Sequence, residues 1–227
     1  MTFVFEYRPS DSSFVETIWQ ARSERPGSAV SRAATHWEMV VTRYRGETIL
    51  TVRGPETKAT PLPHKWVGAE WLGIEFKVGT FMPHLPPLKV LDRRDTNLPE
   101  ASSKSFWLHG SAWEFPTFEN VDTFVDRMVH EGLLVRDTFV DGVLQGQTPT
   151  LSPRSMQYRF LQATGLGYKT IQQIERAHRA ASLLAEGVSI LDTSYEVGYA
   201  DQSHLTRSLK RFLGQTPAQV ISLSQPE

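Results

Sequence analysis

Gly198 separates two runs of helical periodicity, and that junction constrains the chain more than any other feature of its sequence. Ahead of it, Ser189 and Asp192 stand three apart as a variant capping box, which satisfies the first free amides of a short helix starting at Ile190. Gly198 can take the left-handed conformation that a sharp stop needs, and Tyr199 then folds back onto the core. Asp201 caps a second helix, in which Leu205, Leu209 and Phe212 recur at four and three residues and line one buried face. The opposite face displays Gln202, Ser203, Thr206, Arg207 and Lys210, with His204 and Arg211 at its edge. Nearly all of these are hydrogen-bond donors or cations. A short helix, a glycine turn and a second helix with a basic outer face predict a helix-turn-helix, whose second helix enters the major groove of DNA.

The scheme occurs once more upstream, in looser form. Ser152 can cap a helix with Pro153 at its first position, where a missing amide hydrogen is harmless. That helix should run to about Thr164 and close at Gly165, with Met156 and Phe160 inward. Arg154, Ser155, Gln157 and Tyr158 then face outward, and Arg159 lies near the edge. A preceding helix from Asp137 to about Gln145 carries Phe139, Val140, Val143 and Leu144 on its apolar side and is made irregular by Gly142 and Gly146. Between the two units, Thr170 to Ala185 reads as one helix with Ile171, Ile174, Ala177, Ala181 and Leu184 on a stripe. Its length of roughly 24 Å suits two reading heads placed in successive major grooves ~34 Å apart.

From about Asp137 to Val220 these residues resemble the DNA-binding domain of the AraC family of bacterial transcription regulators. The resemblance is carried by Leu151-Ser-Pro-Arg154, Arg159-Phe160, Thr164-Gly165 and Arg176-Ala177. Its most diagnostic part is Val197-Gly198-Tyr199-x-Asp201-Gln202-Ser203 with Lys210-Arg211-Phe212-x-Gly214-x-Thr216-Pro217. Thr193 and Ser194 depart from it, standing where a larger aliphatic residue and Ala are common, and Tyr158 stands where a base-reading Arg is frequent. The resemblance implies a cytoplasmic transcription factor whose partners are double-stranded promoter DNA, a small-molecule effector, RNA polymerase and a second copy of itself. The DNA-contacting residues expected are Arg154, Ser155, Gln157 and Tyr158 in the first unit, and Gln202, Ser203, Thr206, Arg207, Lys210 and Arg211 in the second. Helix geometry gives base edges to Gln202, Ser203, Thr206 and Arg207, and phosphate to Lys210 and Arg211, a turn further on.

Charge and composition bound this reading. The whole chain carries a formal charge of -1, so overall basicity does not argue for nucleic acid. Residues 151–227 hold 8 Lys+Arg against 6 Asp+Glu, a surplus of +2, while the remainder holds 16 against 19, or -3. Any attraction for DNA must therefore be a local patch. With 0 Cys there is no disulfide framework and no thiolate metal or redox site, which fits a reducing cytosol. Neither a signal peptide nor an apolar run of membrane-spanning length is legible, so no membrane partner is expected.

The fold class expected is α+β, a β-rich barrel or jelly roll followed by an all-α domain with two helix-turn-helix units. The division expected is a sensor or dimerisation domain over 1–100, a linker with an amphipathic helix over 101–135, and the DNA-binding domain over 136–227. Phe3 to Tyr7, Phe14 to Ala21 and His36 to Val52 alternate as strands, the last broken by a hairpin turn at Arg45-Gly46-Glu47. Lys65 to Val78 reads as a strand pair turning at Gly68 or Gly73, and Pro55, Pro61 and Pro63 break the pattern between the pieces. From Asp92 to Ser105 the chain reads as a polar surface loop, and Phe106 to Trp113 as structural. The helix from Val121 to Gly132, with Phe124, Val125, Met128 and Val129 on its stripe, is suited to pairing subunits, to relaying a signal, or simply to packing on one domain. Family resemblance makes the β-rich part cupin-like, on position and strand pattern alone.

A reading from a different class is a cupin-like, metal-dependent or small-molecule-converting enzyme with a structural helical tail. His36, Glu38, His64 and His84 would be its ligands, but His36-Trp-Glu38 supplies one histidine where metal cupins use a His-x-His cluster. Neither a metal site nor a cofactor is expected. Trp37, Trp66, Trp71 and Phe76 are the candidate lining of an effector pocket, against the plainer reading as core. No phosphate loop, nucleophile elbow or Ser/His/Asp order occurs, so no catalytic residue is expected.

Overall fold

The computed structural model describes residues 3–64, 66–94, 96–148 and 150–224, without the side chains of Ser28, Pro63 and His64. The strands of the N-terminal half are, in order, β1 (Phe3–Arg8), β2 (Val15–Ser23), β3 (Gly27–Ser31), β4 (Glu38–Tyr44), β5 (Glu47–Arg53), β6 (Thr60–His64), β7 (Glu70–Phe76) and β8 (Thr80–Phe81). A short helix α1 (Pro87–Val90) follows, then β9 (Thr96–Asn97), β10 (Glu100–Ser102), β11 (Ser105–Leu108) and β12 (Ser111–Glu114). After α2 (Val121–His130) and β13 (Val135–Arg136) the chain is helical: α3 (Thr138–Leu144), α4 (Pro153–Thr164), α5 (Tyr168–Ala185), α6 (Ile190–Glu196), α7 (Gln202–Leu213) and α8 (Pro217–Ser224). A strand-rich region followed by a helical region is the expected fold class.

The chain divides into two compact units that interleave along the sequence. One comprises Met1–Gly27, His36–Pro55 and His64–Gly167, and the other Ser28–Thr35, Glu56–Pro63 and Tyr168–Glu227. The first is built on a six-stranded sheet in the order β1-β2-β7-β4-β5-β9, every neighbouring pair antiparallel. This corrects the expected barrel: among the described residues the sheet is open, with β1 and β9 as its edges. Arg45 and Gly46 both have positive φ, 52° and 85°, which gives the β4–β5 hairpin the twist-matching turn that the sequence signals there.

Two strand expectations fail for a shared reason, that glycine and proline have several uses. The pair expected between Lys65 and Val78 is one strand, β7, running straight through Gly73. A Cβ on Gly73 would lie 1.9 Å from the Trp19 ring on β2, so the glycine lets an indole lie across the sheet and does not turn the chain. Conversely, the segment with Pro61 and Pro63 is the strand β6, which pairs with β3 in a separate two-stranded ribbon, where a missing amide donor is tolerated. The stretch expected as a polar loop supplies β9 and β10.

Ile18, Met39, Val41, Leu50, Leu72, Ile74 and Phe76 form the packed face of the sheet and share one core with the hairpin β11–β12 and with α2. His109 and Gly110, at φ 48° and 80°, turn that hairpin, and Trp113 on β12 meets Phe124 of α2 edge-on at 5.8 Å. The Arg127 guanidinium closes over the same indole at 4.1 Å. Val121, Phe124, Val125 and Met128 are all buried, so of the three readings of α2 the packing one describes its apolar stripe. Fully burying each such side chain contributes about 1.5–3 kcal/mol.

The second unit holds α5 to α8 together with the β3–β6 ribbon. Its core is formed by Ile171, Ile174, Ala177, Ala180 and Leu184 of α5 against Leu205, Leu209, Phe212 and Leu213 of α7. Ala180, and not Ala181, completes the α5 stripe. The ribbon segments bond to both helices: the Ala33 amide donates to the Phe212 carbonyl (2.6 Å) and the Ala59 amide to the Arg211 carbonyl (2.8 Å). Thr35 Oγ1 donates to Glu175 Oε1 (2.8 Å), and the His178 Nε2 lies 2.7 Å from the Ala33 carbonyl oxygen. Carbonyls that the last turn of α7 would leave without partners are thereby satisfied. Among the described residues no helix is long and apolar enough to cross a membrane.

Candidate nucleic-acid interface

The second helix-turn-helix forms because its boundaries are locally encoded. Ser189 Oγ accepts from the Asp192 amide at 3.1 Å, starting α6. Asp192 departs from the expected box by accepting the Ser189 hydroxyl itself, at 2.6 Å. At the other end Gly198 has φ 75°, the Tyr199 amide donates to the Ser194 carbonyl (2.9 Å) and the Gly198 amide to the Tyr195 carbonyl (3.2 Å). These two bonds are a Schellman closure. Asp201 then caps α7, accepting from the His204 amide at 2.6 Å, and Gly214 ends it at φ 71°.

Along α7 the buried residues are Leu205, Leu209, Phe212 and Leu213, which leaves Gln202, Ser203, Arg207, Lys210 and Arg211 exposed. Thr206 is half-buried and its hydroxyl donates back to the Gln202 carbonyl at 2.9 Å, so that group is partly engaged by its own helix. Within α6, Thr193 and Ser194 are buried. Ser194 Oγ donates to the Ile190 carbonyl (2.9 Å), whereas Thr193 Oγ1 has no hydrogen-bond partner among the described residues.

In the first unit of the chain, Asp137 caps α3 through the Phe139 and Val140 amides, at 2.9 and 3.2 Å. Gly142 is buried in α3, and a Cβ there would meet only the end of the exposed, flexible Gln147 side chain at 2.4 Å, which can move aside. Ser152 caps α4 and Gly165 ends it at φ 71°, against the backbone of α1, where a Cβ would come to 3.0 Å from Pro87. Arg154, Ser155, Gln157 and Tyr158 are exposed. Arg159 is tied down, with Nε on Asp137 Oδ2 at 2.7 Å and its guanidinium over Phe139 at 4.8 Å. Gln162, one turn beyond Tyr158, lines the same shallow surface as Arg154, Ser155 and Tyr158 and was absent from the sequence assignment; the i+4 spacing from Tyr158 is the signal that could have found it.

Beside α7, a cleft of about 200 Å³ opens against α5, lined by Gln173, Arg176, Tyr199, His204, Arg207, Ser208, Arg211 and Phe212. Tyr199 and Ser208 share a hydroxyl–hydroxyl hydrogen bond of 2.8 Å there. Burial pushes the Tyr199 phenol above its ordinary pKa, against the lowering effects of that bond and of Arg176, so it stays neutral. Arg176 lies over the Tyr199 ring at 5.7 Å and donates to the Gly198 carbonyl at 3.4 Å. Sequence reasoning placed His204 and Arg211 at the edge of α7 and gave Arg176 no role.

The other candidates are dispersed. Trp37 and Phe76 are stacked at 4.1 Å in the core, Trp37 Nε1 donating to the Thr80 carbonyl at 2.6 Å. Trp71 points to the opposite face of β7 from Phe76 and meets Phe3 at 5.7 Å, while Trp66 is exposed and stacks on Tyr44 at 5.6 Å. The four aromatics expected to share a pocket thus fall in separate clusters. His36 lies 3.7 Å from Glu75, which stands opposite Glu38 across the β4–β7 pair, while Glu38 bonds to Arg53 at 3.2 Å and His84 packs apart from them on His109 at 4.8 Å; among the described residues no group of three His, Cys, Asp or Glu is placed to hold a metal ion. The side chain of His64 lies outside the described residues.

Residues 149–222, spanning α4 to α8, match a family model described as a helix-turn-helix domain. This segment is a helix-turn-helix domain of the AraC type. Curated relatives of the domain include HTH-type transcriptional regulator RipA of Corynebacterium glutamicum, 40% identical over 68 residues that make up 30% of this chain and 20% of that protein. RipA of Corynebacterium diphtheriae is 36% identical over 76 residues, 34% of this chain and 23% of that protein. The chain therefore spans about a fifth of the length of the curated relatives it matches. Among solved structures, ToxT of Vibrio cholerae O395 aligns over 99% of this chain and 100% of its own, with a TM-score of 0.46 and 8% identity. In the helix-turn-helix domain, α7 is the second helix of the second unit, and α3 lies outside the matched stretch.

Proposed function

We propose that the chain is a sequence-specific DNA-binding transcriptional regulator in which α7 occupies a major groove of double-stranded DNA. The observation that carries the reading is the outer face of α7: Gln202, Ser203, Arg207 and Lys210 stand exposed on a helix capped at both ends, inside the matched domain. Arg207 offers a fork to guanine and Gln202 an amide to adenine, while Lys210 and Arg211 follow a turn later toward phosphate. The exposed face of α4, with Arg154, Ser155, Gln157 and Tyr158, contacts DNA in a supporting part, since Tyr158 has a single hydroxyl where a fork would read a base.

The strand-rich region modulates this binding and does not perform it, because every assigned contact residue follows Ser152. A small-molecule effector, a second copy of the chain and RNA polymerase are the partners through which such modulation would act. The test is selection of genomic fragments by the full chain, followed by binding isotherms on a selected duplex and a scrambled one, with and without candidate effectors. Failure to enrich any fragment above random sequence would sink the proposal.

A further inference from the structure

The cleft between α5 and α7 gathers Arg176, Arg207, Arg211 and the His204 ring around a volume of about 200 Å³. Among the described residues none of its guanidiniums pairs with a carboxylate. Cations collected without counter-charge build a local positive potential, which an arriving anion relieves. The space is smaller than the ~300–1,000 Å³ of pockets that take organic ligands, and beside the Tyr199 and Phe212 rings its lining carries the hydroxyl pair Tyr199–Ser208 as well as the guanidiniums. A compact tetrahedral oxyanion matches both size and chemistry, and guanidiniums bind phosphate oxygens in bidentate fashion.

Position decides which phosphate. His204, Ser208 and Arg211, spaced four and three apart, form one stripe along α7 on the side toward α5, and Arg207 lines the cleft from the crest of the helix. A helix ~10–12 Å across nearly fills a major groove ~12 Å wide, so its flanks meet the phosphate-lined walls while its crest meets the bases. We propose that this cleft is a phosphate seat: Arg211 and His204 from α7 and Arg176 from α5 clamp one backbone phosphodiester beside the groove that α7 reads. The proposal rests on the DNA-binding reading given above and adds Arg176 and His204 to the interface. Arg176 reaches the seat from the helix joining the two helix-turn-helix units, which ties the register of α7 on the duplex to the connector.

The experiment is a coupling measurement on the full chain, using a duplex enriched from genomic DNA and a set of duplexes each with one phosphate replaced by neutral methylphosphonate. Neutralising the seated phosphate is expected to weaken wild-type binding about five- to tenfold and to have almost no effect on Arg211→Gln. The slope of log affinity against log salt should fall by about one unit in that variant. His204→Gln should couple to the same phosphate or its neighbour, and Arg176→Lys, which keeps the charge and loses the fork, should couple partially. Thermal melts show whether each variant is folded, and Arg211→Gln alters an exposed side chain.

Should every methylphosphonate cost wild type and Arg211→Gln the same, the cleft holds no phosphate and the seat is overturned while the DNA reading stands. Should the wild-type chain bind no duplex, the DNA reading itself fails and the seat with it. A parallel titration of inorganic phosphate into the DNA-free chain separates the two sources of the anion. Saturable binding that is lost in Arg211→Gln, with no coupled position on DNA, would assign the cleft to free phosphate and overturn the backbone assignment.

Discussion

The main-chain amide of Ala33 donates to the carbonyl of Phe212 across 2.6 Å, so a residue from the start of the chain closes the last turn of α7. Ala59 does the same for Arg211 at 2.8 Å, and Gly214 can end the helix there because a Cβ would lie 2.9 Å from Val30 and 3.3 Å from Ala59. The helix-turn-helix domain is therefore braced by a ribbon that the sequence places far upstream of it.

Breaking that brace should show as lost stability. Ala33→Pro and Ala59→Pro each remove one amide donor and leave a carbonyl unpaired, at an expected cost of about 1–3 kcal/mol. Urea unfolding followed by circular dichroism measures it as a lower midpoint with unchanged slope. A fragment beginning at Val121 lacks both strands of the ribbon, so it should melt below the full chain; equal melting temperatures for the helical signal would mean that the ribbon contributes nothing.

Thr193→Val should stabilise the protein. Thr193 is fully buried in α6 and its hydroxyl has no partner among the described residues, so the folded state carries a desolvated donor that Val removes at nearly constant volume. The expected gain is about 1 kcal/mol, read as a higher urea midpoint. A loss of stability would show that the hydroxyl is satisfied in solution.

Asp201→Ala removes the side chain that accepts the His204 amide at 2.6 Å and should cost about 1 kcal/mol. Asp201→Asn keeps an accepting oxygen and should recover most of that loss. Comparing the two by thermal melting separates the cap from any effect of charge.

Arg207→Ala should cost about 1–3 kcal/mol on the selected duplex and relax its sequence preference, whereas Lys210→Ala should weaken selected and scrambled duplexes alike and lower the salt slope by about one unit. Isotherms at several salt concentrations distinguish them. Equal weakening of both duplexes by Arg207→Ala would move that residue from base to phosphate and require α7 to sit rotated in the groove.

Glu75 supplies a pH-dependent term in the strand-rich unit. Burial pushes its carboxyl above the ordinary range; the His36 charge opposes this, Glu38 and Glu16 add to it, and a Trp19 hydrogen bond lowers it. A carboxyl whose pKa is higher folded than unfolded stabilises the fold below the unfolded value, and that contribution is lost as pH rises through the folded value. Glu75→Gln should therefore melt higher relative to wild type at pH 7 than at pH 4. A difference between the two proteins that stays constant with pH would rule the term out.

The helix boundaries of the domain were legible because their causes are local. Ser152, Ser189 and Asp201 each bond to an amide three residues on, and Gly165, Gly198 and Gly214 adopt positive φ where the sequence calls for a stop. Buried faces followed from period: Leu205, Leu209 and Phe212 are inward as their spacing requires. Such signals act within about one turn of chain, so a single sequence states them fully.

What tertiary structure decided depends on partners remote in sequence. Nothing local distinguishes Gly73 as the place where Trp19 crosses a strand from a glycine that turns one, and nothing near Pro61 announces that β6 will pair with β3. The closure of α7 by Ala33 and Ala59 uses main-chain groups, which every residue carries and which leave no side-chain signature. The cleft is of the same kind: Arg176 and Arg211 lie on different helices and become neighbours only when α5 and α7 pack. Periodicity determines which side of each helix is buried, but the juxtaposition of their exposed edges is set by packing between helices, where long-range contacts and not local propensity choose the partner.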